Sequence, residues 1–225
     1  MTVAIADALA RAREAPFLAG LIDRQPAIVA ALIEGRIDLS PRLDDAEPVA
    51  RRLRLARRSL ALNVAIGDLA GALDLTAVTG ALTRFADAAL DQAIAAAVAE
   101  RTPGEPARGF AAIALGKQGS GELNYSSDID PILIFDPATL PRRPREQPEE
   151  AAVRIARRVV ELLQARDGDG YVLRVDLRLR PSPEVTPIAL PVDYAIGYYE
   201  SQALAWERAA FIRARAAAGD RALGE

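Results

Sequence analysis

Two aspartates one residue apart, Asp128 and Asp130, stand at the mouth of an apolar run near the end of the stretch LGKQGSGELNYSSDIDPILIFD, residues 115–136. In an extended segment alternate side chains face the same way, so the two carboxylates project together while Ile129 points into the core. Side by side they repel, and without a cation one of them tends to hold its proton. A divalent metal resolves the conflict, and two metals bridged by a shared aspartate form a clamp for phosphoryl or nucleotidyl transfer. The segment GYVLRVDLRLRP, residues 170–181, offers a third carboxylate. Its strict alternation reads as a half-buried strand with Asp176, Arg178 and Arg180 on one face. Beside the Asp128 strand, that face would hold three carboxylates for metal and two arginines for phosphate.

Upstream, Gly116, Gly119 and Gly121 allow a tight turn and close approach of backbone to a ligand. Ser120 adds a hydroxyl, and Lys117, the single lysine of the chain, is placed to meet a phosphate. The spacing is neither that of a P-loop nor that of the dinucleotide fingerprint. Asp-x-Asp alone is a weak signal, since any exposed strand end can carry it; joined to the Gly119-Ser120 turn and the Asp176 strand, it indicates a phosphate-handling site. Glu122 reads as a loop ligand or as a structural cap. Asn124, Ser126 and Ser127 read as supporting groups that hydrogen-bond the loop. Trp206 reads as core, with Glu207 beside it able to support the site.

The elements that must position these groups fall into two parts. Residues 1 to about 100 are rich in Ala, Leu, Arg and Asp without sustained alternation, which predicts helices near 3–15, 24–35, 47–70 and 76–101, punctuated by Pro16, Gly20, Gly35, Pro41 and Pro48. The third carries Arg51, Arg52, Arg54, Arg57 and Arg58 around an apolar stripe, read as solvated basic residues. RTPGEPARG, residues 101–109, is a composition break, which divides the chain into a helical segment, 1–104, and a second unit, 105–225. Beyond it FAAIALG and IDPILIFD read as strands, and EQPEEAAVRIARRVVELLQARDG reads as a helix with Pro148 at its start and Glu149 and Glu150 in its first turn. The tail from Pro191 reads as helical. The expected class is α+β, with three to five strands in a small mixed sheet.

Composition narrows the chemistry. The 225 residues contain no histidine and no cysteine. Imidazole bases, thiolate nucleophiles, disulfides and thiolate metal sites are excluded, so metal chemistry must rest on oxygen ligands, which favours Mg²⁺ or Mn²⁺. A net charge of −3 gives no general reason to expect nucleic acid. No apolar run reaches the ~18 residues of a membrane span and no secretory leader is visible, so no membrane association and a cytoplasmic location are expected.

ALGKQGSGELNYSSDIDPILIFD, GYVLRVDLRLRP and YYESQALAWERAAFIRAR together closely resemble the glutamine synthetase adenylyltransferase family, the bifunctional adenylyl-transferring and adenylyl-removing enzymes of bacterial nitrogen control. The likeness covers roughly residues 105–220. It implies a nucleotidyltransferase fold of the polymerase-beta type, preceded by an all-helical segment and incomplete at its carboxyl end. Of the family's two tandem catalytic copies, these forms look more like the first, which removes AMP. The resemblance places metal ligands at Asp128, Asp130 and Asp176, implying two Mg²⁺ or Mn²⁺ ions, and the glycine turn at Gly119 and Ser120, where the family often has two glycines. It implies phosphorolysis: inorganic phosphate attacks the adenylyl phosphorus on a tyrosine of glutamine synthetase and yields ADP. Phosphate arrives already anionic, so the missing imidazole is no obstacle, and Arg178 and Arg180 would orient it. Adenylyl transfer from ATP to glutamine synthetase is the first alternative; a non-catalytic module binding a PII-type signalling protein is the second. Pro131 stands where the family usually has leucine, which predicts a strand edge or bulge at Asp130.

Overall fold

The structure is a computed structural model that describes residues 2–40 and 47–225; Pro41 lies outside the described residues. Helices α1 (Thr2–Ala12), α2 (Pro16–Arg24) and α3 (Pro26–Ile33) pack on the long helix α4 (Val49–Leu69), which is followed by α5 (Leu75–Ala99). Prolines open α2 and α3, where a missing N–H costs nothing. The segment expected as one helix from residue 24 therefore begins two residues later, because Pro26 resets the chain. Asp74 caps α5 by accepting from the Ala77 N–H at 2.7 Å. Ile5, Leu9, Leu21, Leu32, Leu62 and Ile66 close the core of this helical part.

Beyond it lie β1 (Phe110–Ala114), the short α6 (Gly116–Gly119), β2 (Pro131–Phe135), α7 (Pro148–Gln164), β3 (Ala189–Pro191), α8 (Val192–Ser201), α9 (Ala205–Phe211) and β4 (Arg215–Gly219). The four strands form one mixed sheet in the order β3-β2-β1-β4, with β2 and β3 parallel and the other pairs antiparallel. The architecture is the expected α+β one, a helical segment followed by a small mixed sheet flanked by helices.

Both faces of the sheet are covered, which is why β1 and β2 are buried at every residue. Phe110, Ala112, Leu133 and Phe135 meet α5 and α7 in the main core, while Ala111, Ile113, Ile132 and Ile134 meet Ala195 and Tyr199 of α8. Helix α7 presents Ala152, Ile155, Ala156, Val159 and Leu163 at helical spacing to that core. Helix α5 contributes Ala86, Leu90, Ile94 and Val98 to the same cluster, so it supports the sheet as well as α4.

Three expectations are corrected. GYVLRVDLRLRP is no strand; it is an irregular segment that makes one isolated parallel bridge, Ile129 to Val175, and turns at Arg178 and Leu179. RARAAAGD, expected as helix, contains β4, whose small residues let it pack flat beneath α5; the alanine-rich composition concealed a strand whose pairing with β1 overrides propensity. Pro131 causes no bulge: it occupies the first position of β2, where a strand tolerates proline, and pairs in register with Ala114. The irregularity in the sheet lies instead between β1 and β4, at Ala112 and Ile113.

Candidate active site at the carboxylate face

The Ile129–Val175 bridge brings the acidic residues together. Ile129 N–H donates to the Arg174 carbonyl at 3.0 Å and Asp176 N–H donates to the Ile129 carbonyl at 2.9 Å, so Asp128 and Asp130 flank one side of the junction and Arg174 and Asp176 the other. Gln164, at the end of α7, fixes the second segment by donating to the Val175 carbonyl at 2.7 Å. Asp128, Asp176, Arg166, Arg174 and Arg178 border a depression of about 420 Å³.

Each carboxylate has a different environment. Asp128 accepts from Arg174 Nε at 2.6 Å. Asp176 accepts from Arg178 Nε at 2.8 and 2.9 Å, and this hydrogen bond holds its carboxyl below the usual range despite partial burial. Asp130 has no such cation. Burial raises its pKa first, the negative charges of Asp176 and then Asp128 add to the rise, and Arg178 offsets part of it. The repulsion read from the sequence is therefore concentrated on Asp130.

The glycine turn is built differently from expectation. Gly116 is the residue nearest the acidic face: its φ is +56°, and a Cβ there would stand 2.8 Å from Asp130 Oδ2. Gly119 is required for another reason, since a Cβ would lie 2.0 Å from the Arg213 carbonyl oxygen. Behind it, Arg215 donates to Asp87 at 2.7 and 3.0 Å and to the Gln118 carbonyl at 2.9 Å, and buried Gln118 donates to Asp87 at 2.9 Å. This network fixes α6. Ser120 Oγ bonds the Gly116 carbonyl at 3.2 Å and Glu122 at 3.1 Å, which makes Glu122 a partner of the turn; Lys117 is exposed beside them.

The loop before Asp128 closes on itself. Ser127 Oγ donates to Asn124 Oδ1 at 2.7 Å and accepts from the Asn124 N–H at 3.2 Å, while the Ser126 carbonyl accepts from Arg174 at 2.5 Å. Two expected site residues are engaged elsewhere. Arg180 donates to the carbonyls of Leu177, Pro183, Thr186 and Pro187, organising the loop before β3 and leaving little of its fork for phosphate. Glu207 is buried, accepting from Tyr198 Oη at 2.8 Å and from the Leu204 N–H at 2.7 Å, and so ties α8 to α9. Trp206, read as core, is instead exposed.

Sequence reasoning gave Arg174 no role, although its alternation with Asp176 was the available signal. It also misread the arginines of α4. Arg54 pairs with Asp167 at 2.5 Å, Arg58 with Asp169 at 2.6 Å and Arg51 with Asp169 at 3.4 Å, and Arg57 lies over Tyr171. These are clamps on the loop that leads from α7 to Asp176, and nothing in the spacing of α4 revealed that its partners lie over a hundred residues away in sequence.

By type the three carboxylates suit a hard divalent cation, in a chain without imidazole or thiolate. Among the described residues no group of three acidic or other ligating side chains is arranged to hold one, because Asp128 and Asp176 are turned onto arginines. Arg178 engages both oxygens of Asp176, whereas Arg174 engages Asp128 through Oδ1, so binding would require Arg178 at least to release its carboxylate.

A model of the family described as glutamate-ammonia ligase adenylyltransferase matches residues 3–225. A bifunctional glutamine synthetase adenylyltransferase/adenylyl-removing enzyme of Caulobacter vibrioides is 46% identical over 231 aligned positions, covering 93% of this chain and 23% of the relative. The similarly named protein of Xanthobacter autotrophicus is 43% identical and covers 99% of this chain and 25% of its own length; that of Rhizobium meliloti is 44% identical over 81% and 20%. The chain thus spans about a quarter or less of the curated relatives it matches.

Proposed function

The chain belongs to the glutamate-ammonia ligase adenylyltransferase family, and we propose that its carboxylate face handles an adenylyl group carried by glutamine synthetase. The observation that carries the reading is the convergence of Asp128, Asp130 and Asp176 on one backbone junction, with Arg174 and Arg178 against two of them.

In this reading Asp128, Asp130 and Asp176 hold Mg²⁺ or Mn²⁺, two ions in all, and Arg174 and Arg178 pass from carboxylate to phosphate when substrate enters. Bound metal would supply charge neutralisation at the phosphoryl oxygens. The arginines would orient the incoming or departing phosphate, and Lys117 on the α6 turn would approach it from the other side. Gly116 keeps the backbone close to Asp130, where any side chain would intrude.

The direction of the reaction is a finer matter. The family description names adenylyl transfer, and the relatives' names include both transfer and removal. Transfer from ATP is the direction favoured by those names. Phosphorolytic removal, yielding ADP, is favoured by the arginine-flanked face, because an anionic nucleophile needs guidance and charge neutralisation and no histidine base. Both directions share the same acidic residues. Among the described residues no single helix is long and apolar enough to cross a membrane; α2 and α3 reach that length only together, across a 95° bend. We place the reaction in the cytoplasm, where glutamine synthetase is to be met.

Two parallel assays test this. The chain is incubated with Mg²⁺ and either adenylylated glutamine synthetase plus phosphate, or unmodified glutamine synthetase plus labelled ATP. ADP formation in the first supports removal, and labelled protein in the second supports transfer. Asp128→Asn and Asp130→Asn should each lower the observed activity by at least a hundredfold; full activity in both variants sinks the site assignment.

A further inference from the structure

Arg57 differs from its neighbours on α4. Arg51, Arg54 and Arg58 end on carboxylates, whereas Arg57 has no hydrogen-bond acceptor among the described residues and only the Tyr171 ring at 5.1 Å. Burial lowers its pKa, Tyr171 partly offsets this, and the positive charge of Arg174 lowers it further. A guanidinium stays charged under such a shift, and a partly desolvated charge without a partner favours the arrival of an anion.

Arg57 borders a half-open cavity of about 330 Å³ between α2, α4, α5, Leu173 and the loop before Asp128. That is within the ~300–1,000 Å³ range of small-molecule sites. Leu60, Leu82, Phe85, Leu123 and Leu173 give it apolar walls. A second polar group on its border is Asp68, which accepts from Tyr125 Oη through Oδ2 at 2.6 Å while no described residue donates to Oδ1. Arg57 and Asp68 lie on the same helix, about 16 Å apart along its axis by the helical rise. The cavity also shares a wall with the carboxylate face: Ser127 and Leu173 border the cavity, and the next residues, Asp128 and Arg174, border the depression.

We infer that this cavity seats a purine 5′-nucleotide, with its ring between the walls of α4, α5 and Leu123, its exocyclic amine on Asp68 and its phosphate on Arg57, facing Asp128 and Arg174. The assignment rests on the adenylyl-handling reading and adds to it the place of the base. A 6-amino purine has a donor for the free oxygen of Asp68 at one end and an anion for Arg57 at the other. A phosphorylated phenol ring lacks the distal donor. The helical segment then contributes directly to the site, since α4 supplies both polar ends.

Calorimetric titration of the 225-residue chain in EDTA tests the pocket apart from turnover. AMP should bind at least tenfold more tightly than adenosine or inorganic phosphate, and about fivefold or more tightly than inosine 5′-monophosphate, which has a carbonyl in place of the amine. Arg57→Met should reduce AMP to the level of adenosine. Ala61→Phe, which fills the cavity, should weaken both at least tenfold, with far-UV circular dichroism confirming the fold; Arg57→Met alone decides the matter if Ala61→Phe does not fold. Unchanged AMP affinity in Arg57→Met, or tighter binding of phenyl phosphate than of AMP, overturns the assignment. Cavity binding without turnover in either assay leaves the pocket standing and removes the enzymatic reading; turnover without cavity binding does the reverse.

Discussion

Arg174 Nε donates to Asp128 Oδ1 at 2.6 Å, joining two segments 46 residues apart, and the same guanidinium donates to the Ser126 carbonyl. Arginine here takes one oxygen of a carboxylate that would serve a metal and offsets its charge. Removing it in Arg174→Gln should strengthen Mn²⁺ binding several-fold, as read by the electron paramagnetic resonance of free Mn²⁺, while lowering turnover. An unchanged or weaker Mn²⁺ affinity would place the metal away from Asp128.

Asp130 sets a pH dependence of stability. Its folded-state pKa is raised by burial and by Asp176 and Asp128, so its contribution is fully present below the unfolded value near 3.8 and is lost as pH rises through the raised folded value. Asp130→Asn should therefore melt at an equal or higher temperature than the parent at pH 7, with the difference shrinking toward pH 3. Saturating Mg²⁺ should raise the parent's melting temperature and narrow the gap. Thermal scans across this range read both effects.

Glycine 119 is required by space, because a Cβ would meet the Arg213 carbonyl oxygen at 2.0 Å and that of Ala114 at 2.8 Å. Both obstacles are backbone and cannot turn aside. Gly119→Ala should cost about 1–3 kcal/mol or more in urea unfolding. Gly168→Ala, at a position with open space, should be close to neutral.

The clamp between α4 and the loop after α7 should respond asymmetrically. Arg54 has a side chain 8% exposed and its partner Asp167 one 47% exposed. Asp167→Ala leaves a buried guanidinium with only the Ala165 carbonyl at 3.4 Å and should destabilise by about 1–3 kcal/mol. The double variant Arg54→Met/Asp167→Ala should recover much of that loss, since the buried charge is gone. Denaturant midpoints for the two variants provide the comparison.

Elements whose signals are local could be read from the residues alone. Pro148 with Glu149 and Glu150 marked the start of α7, the apolar runs around Phe110 and Ile132 marked β1 and β2, and Asp128, Asp130 and Asp176 stood out by type and spacing. The absence of histidine and cysteine restricted the chemistry without any coordinates. The remainder depends on partners distant along the chain. Arg215–Gly219 is a strand because β1 offers an edge, although its own residues favour helix. Arg180 and Arg178 alternate identically in sequence, yet one is drawn onto loop carbonyls and the other onto Asp176, since hydrogen-bond supply is set by the fold around each. Likewise the spacing of Arg51, Arg54, Arg57 and Arg58 fixes only which face of α4 they share. Packing against the loop after α7 gives three of them carboxylates and leaves Arg57 facing a cavity.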